Sequence, residues 1–167
     1  AQLGADGSKS ITTRIIYNTA GGTGPESPAL VLTKDTTLPT FTAQRTTPTT
    51  WVLTFPENVH ANAANENAAW TISGGHVVTA VTDPANTNTL TITASASTGT
   101  TGGQTITYVA ASGSVADAAA NEVANGANAV ASDGVSPVVV SVSSTAPEGT
   151  YSSGTVPKTV TISEIVT

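Results

Sequence analysis

Few side chains in this sequence are equipped for chemistry, and most of those carry a carboxylate. Of 167 residues, 11 are Asp or Glu, 5 are Lys or Arg and 2 are His, with no Cys. The acids of interest stand at what read as joints between strands. Asp35 lies in Lys34-Asp35-Thr36-Thr37-Leu38-Pro39, and Asp133 lies in Ser132-Asp133-Gly134-Val135-Ser136-Pro137. Glu57 follows Phe55-Pro56, and Asp117 and Asn121 share the stretch Val115-Ala116-Asp117-Ala118-Ala119-Ala120-Asn121. Calcium takes roughly six to eight oxygens from carboxylates, amide side chains and backbone carbonyls. Asp35, Glu57, Asp117 and Asp133 are therefore candidate calcium ligands at domain junctions, with Asn121 as a neutral donor. The competing reading is local: Asp at the start of a turn accepts a backbone amide two residues on, and Glu57 accepts from loop amides. A dense Asp-x-Asp-x-Asp run, the signature of an EF-hand loop, is absent.

Other chemistries find little material. Without Cys there is no thiol nucleophile, no Cys-ligated zinc and no iron–sulfur centre. His60 and His76 lack a metal-spaced histidine partner, and no Ser sits in a Gly-x-Ser-x-Gly elbow. Neither a phosphate-binding loop nor a dinucleotide fingerprint occurs. These absences point away from an enzyme and from any cofactor besides calcium. Asn18-Thr19-Ala20, Asn86-Thr87-Asn88 and Asn88-Thr89-Leu90 all fail the Asn-x-Ser/Thr pattern, so Asn-linked glycans are not indicated. Trp51 and Trp70 read as core residues; an exposed platform for sugar is the lesser alternative.

The elements that must position these residues are strands. Thr, Val, Ala, Ser, Asn and Gly dominate the sequence; Thr and Val fit a pleated surface, while Asn, Gly, Ser and Pro punctuate turns. Alternation marks strands over 40–45, 51–55, 76–81, 89–93, 104–109 and 128–131, with Trp51, Leu53 and Phe55 on one face. Trp70-Thr71-Ile72 is a further short strand ending at Gly74-Gly75, and Asp83-Pro84-Ala85-Asn86 is a turn. The Ala- and Asn-rich stretches 61–69 and 116–124 are each read as a single helical turn or an ordered loop. The expected class is all-β, with one apolar face per strand as a sandwich requires. With net charge −6 and scattered bases, no patch is available to replace counterions on nucleic acid. No window approaches the roughly 18 apolar residues of a membrane span.

The sequence also repeats. Asp35 and Asp133 open the same Asp, three residues, Pro pattern 98 residues apart, about the length of an immunoglobulin-type sandwich. Ile15-Ile16-Tyr17 is similar to Ile106-Thr107-Tyr108, and Thr54-Phe55-Pro56-Glu57-Asn58-Val59 is similar to Thr161-Ile162-Ser163-Glu164-Ile165-Val166, so that Glu164 is the counterpart of Glu57. The extra residues of the second interval fall in 147–155, read as a long hairpin loop. This phase divides the chain into 1–37, the last strands of one unit; 38–136, a complete unit; and 137–167, the first strands of a third. Incomplete units at both ends favour a segment of a longer repeat array over a subunit that completes itself by strand exchange.

These residues resemble the immunoglobulin-like repeats of large bacterial and archaeal surface proteins. There a unit opens with an Asp-x-x-x-Pro linker, its second strand ends in a Ser-Glu-Pro-Val-like turn, and a late strand leads into a loop like Val-x-Asp-Ala-Ala-Gly-Asn. Here Pro56 precedes Glu57 rather than following it, and Ala120 stands where Gly is usual. The resemblance implies a Greek-key immunoglobulin-like β-sandwich in tandem repeat and an extracellular, cell-surface location. It further implies a structural role in an S-layer lattice or filament through self-association with neighbouring copies or repeats. The alternative is an adhesin or carbohydrate-binding module with a glycan partner.

Overall fold

A computed structural model describes residues 4–16, 23–61, 66–84, 87–95, 103–147, 149 and 152–163. The second half of the turn at 83–86 and Glu164 lie outside these residues. The described chain is all-β. Its strands are β1 (Gly7–Ile11), β2 (Arg14–Ile16), β3 (Thr23–Glu26), β4 (Leu30–Lys34), β5 (Thr42–Thr47), β6 (Thr50–Ala61), β7 (Trp70–Ile72), β8 (Val78–Thr82), β9 (Thr87–Ala94), β10 (Thr105–Tyr108), β11 (Val115–Asp117), β12 (Asn128–Val130), β13 (Ser132–Asp133), β14 (Val139–Ser143) and β15 (Thr159–Ile162). Among the described residues the only helical pieces are 3-10 turns at Glu66–Ala69 and Ala110–Ser112.

The middle of the chain forms two sheets, consistent with a β-sandwich. One has the order β13-β5-β6-β9-β8, with β11 added along the far end of β6; the other has the order β12-β10-β7. Among the described residues only the β13–β5 pair is parallel. Strict alternation makes this possible: Trp51, Leu53 and Phe55 of β6 and Leu90 and Ile92 of β9 all point inward. They meet Trp70, Ile72, Ile106 and Tyr108 from the second sheet in one cluster, each of these nine at most 5% exposed. Burying each such large side chain is worth roughly 1.5–3 kcal/mol, and the rings interlock. Phe41 meets Trp70 edge-on at 5.3 Å, and Trp70 leans on Tyr108 at 4.9 Å. Arg45 faces inward and closes one end of the core. Its guanidinium lies 5.5 Å from the Trp51 ring and donates to the Pro48 carbonyl at 2.9 Å.

Two elements differ from expectation, and a third takes one of its two expected forms. Pro56 suggests a strand end after Phe55, yet β6 runs on to Ala61. The β6–β9 ladder breaks between Thr54 and Val59, and Pro56, which has no amide to donate, falls in that irregular stretch. Beyond it β6 gains β11 as a new partner through Val59, His60 and Ala61. Secondly, the stretch 116–124 takes the ordered-loop form of its two readings: it begins inside β11 and continues as a tight turn. Thirdly, His76 precedes β8 and pairs only through an isolated bridge to Ile72.

Further antiparallel pairings flank these two sheets on either side in the described chain. Residues 7–16 and 23–34 form an antiparallel arm, β1 with β4 and β2 with β3. Asp6 fastens its base to the following linker, accepting from the amide of Thr36 (2.9 Å) and from the Thr36 hydroxyl. At the other end β14 pairs with β15. Val142 lies opposite Val160 and Val139 opposite Ile162, whereas Ser141 and Ser143 face Thr161 and Thr159. This hairpin is amphipathic, but its aliphatic face is open: Val140, Val142 and Val160 are all more than half exposed.

Candidate metal centre

Three of the four candidate acids converge. One carboxylate oxygen each from Asp35, Glu57 and Asp117 lie within 4.8 Å of one another, at a cleft of about 450 Å³ lined also by Thr33, Asn58, Ala118 and Ala119. The site forms where the linker after β4 crosses the central sandwich. Asp35 comes from that linker, Glu57 from the irregular stretch of β6, and Asp117 from the end of β11. Asp133 does not join them. It sits in β13 beside Arg45 of β5, at the second linker, whose counterpart of Glu57 lies outside the described residues.

Backbone and side-chain hydrogen bonds hold each group differently. Asp117 is tightly bound: Oδ1 accepts the amides of Ala119 (2.8 Å) and Asn121 (2.9 Å), and Oδ2 accepts the side-chain amide of Asn121 (2.8 Å). Asn121 also donates to the Asp35 carbonyl at 3.3 Å, tying the linker to this loop. Behind the loop, the buried Tyr108 hydroxyl accepts the Val115 amide at 3.0 Å and so anchors β11. Asp35 Oδ1 accepts the Thr37 amide at 3.0 Å, which is the local turn role expected of it. For Glu57 the loop-amide reading fails: its carboxylate receives no hydrogen bond from the described residues.

The electrostatics follow from this asymmetry. Burial pushes the Asp117 carboxyl up, but the hydrogen bonds from Asn121 and the loop amides outweigh it and hold it below its ordinary value. Glu57 is pushed above its ordinary value by burial first, then by the charges of Asp117 and Asp35. The cluster thus has a firmly ionised member and a strained one, a state relieved by a proton or by a cation. Two oxygens on one calcium ion stand at most about 5 Å apart, twice the Ca–O distance, and the three carboxylates meet that limit. They would supply only part of a calcium shell, with carbonyls or water completing it.

The remaining candidates have structural surroundings. His60 Nδ1 contacts Asp83 Oδ2 at 2.6 Å, and that same oxygen accepts the Ala61 amide. His76 is buried edge-on against Trp51 at 4.8 Å, with Nδ1 2.8 Å from the Ser95 carbonyl. Trp51 and Trp70 are 0% and 2% exposed, so neither offers a sugar platform. No signal in the sequence marked Asp6 or Tyr108 as supports of the site, because both partnerships depend on tertiary contact. No helix of the described residues is long and apolar enough to cross a membrane. Neither a family model, nor a curated protein, nor a solved structure matches this chain.

Proposed function

We propose that this chain is a structural segment of a cell-surface protein, built from immunoglobulin-like Greek-key sandwiches in tandem and assembled end to end in a surface layer or filament. It has no catalytic role in this reading. The observation that carries the proposal is the recurrence of one backbone arrangement at both linkers. Asp35 accepts the amide of Thr37 and Asp133 that of Val135, each at 3.0 Å; a Pro follows, and then an antiparallel hairpin. In the central unit that hairpin is β5–β6; after the second linker it is β14–β15. Allowing for the longer loop, Val139 opposite Ile162 takes the place of Phe41 beside Phe55. Before each linker stands another antiparallel pair, β1–β4 ahead of Asp35 and β10–β12 ahead of Asp133.

Further support comes from what the potentially reactive groups are doing. Both histidines are engaged in local contacts, and the carboxylate cluster lies at a junction between units rather than beside a nucleophile. Calcium belongs to the proposal as a stiffener of that junction, bridging Asp35 of the linker to Glu57 and Asp117 of the sandwich. Asp133 would play the part of Asp35 at the next junction. Such a row of units would present its acidic excess to solvent and attract cations to the surface.

The test is immunogold labelling of intact cells with an antibody raised against residues 38–136, followed by cryo-electron microscopy of the labelled surface. The expected result is label on an ordered layer or filament outside the cell. Label confined to the cell interior would overturn the proposal.

A further inference from the structure

We draw no further inference here: the strongest candidate, the exposed aliphatic face of the C-terminal hairpin formed by Val140, Val142, Val160 and Ile162, carries none because nothing in the structure shows what covers it.

Discussion

The carboxylate of Asp35 accepts the amide of Thr37 at 3.0 Å, and 98 residues later that of Asp133 accepts the amide of Val135 at the same distance. The residue between donor and acceptor then takes a different partner at each linker. The amide of Thr36 turns to Asp6, whereas that of Gly134 donates to the Arg45 carbonyl at 2.8 Å. The first linker is thereby fastened to the hairpin before it. The second is fastened to the sandwich it leaves, as the last rung of the parallel β13–β5 ladder.

That close approach makes position 134 intolerant of a side chain. A Cβ there would lie 2.8 Å from the Arg45 carbonyl oxygen and 2.9 Å from Gln44 Nε2. Gly134→Ala is expected to cost about 1–3 kcal/mol, read as a lowered midpoint in urea, with faster hydrogen exchange at residue 134. An unchanged midpoint would show that the β13–β5 contact does not hold the unit closed.

The Asp6 clasp titrates. The Thr36 amide, the Thr36 hydroxyl and Lys34 hold its carboxyl at about 2, against an ordinary 3.8. A carboxyl depressed in the folded state contributes stability that is present above the unfolded value. That contribution is lost as pH falls through the folded one. Exchange protection of the Thr36 amide is therefore expected to decline between about pH 4 and pH 2, and Asp6→Asn is expected to remove that decline. A carboxyl carbon of Asp6 that titrates near its ordinary value would contradict the clasp.

Ala120 occupies the left-handed region at φ 66, a conformation that Gly adopts without steric cost. A Cβ in that region costs about 1–2 kcal/mol, while Gly loses about 0.4–1 kcal/mol more on folding through its greater freedom in the unfolded chain. Ala120→Gly is expected to raise stability by up to about 1 kcal/mol, measured by thermal unfolding. A lowered Tm would mean that the turn holding Asp117 is not strained.

Glu57 is held above its ordinary value by burial and by two neighbouring carboxylates, so its ionisation works against folding. For a carboxyl raised in the folded state, stability is lost as pH climbs through its titration. In chelator, Glu57→Gln is expected to raise the Tm at neutral pH. Saturating calcium is expected to stabilise the parent chain by about 2.7 kcal/mol at a hundredfold excess over Kd, read as a raised Tm, and to leave Glu57→Gln nearly unmoved. An equal response of both chains, or none in the parent, would remove calcium from this junction.

Much of the sandwich was legible because its strands alternate. Trp51, Leu53 and Phe55, and likewise Leu90 and Ile92, declare their faces by spacing alone. What escaped were features decided by partners distant in sequence. The continuation of β6 past Pro56 depends on β11, which has too few residues to advertise a period. The acids Asp35, Glu57 and Asp117 were readable as a set, but not that Asp133 is drawn away from them into β13, where it pairs with Arg45 of β5. The Tyr108 to Val115 bond that anchors the Asp117 loop leaves no local trace, since Tyr108 looks like any inward strand residue.

The central claim is that residues 38–136 are one self-sufficient repeat unit and that the hairpins on either side belong to its neighbours. Excising 38–136 and following its urea unfolding by tryptophan fluorescence tests this most directly, because Trp51 and Trp70 both lie in its core. The expected result is a single cooperative transition with buried tryptophan emission in water and a midpoint close to that of the full chain. A fragment that is unfolded in water, or that folds only when residues 1–37 or 137–167 are restored, would contradict it.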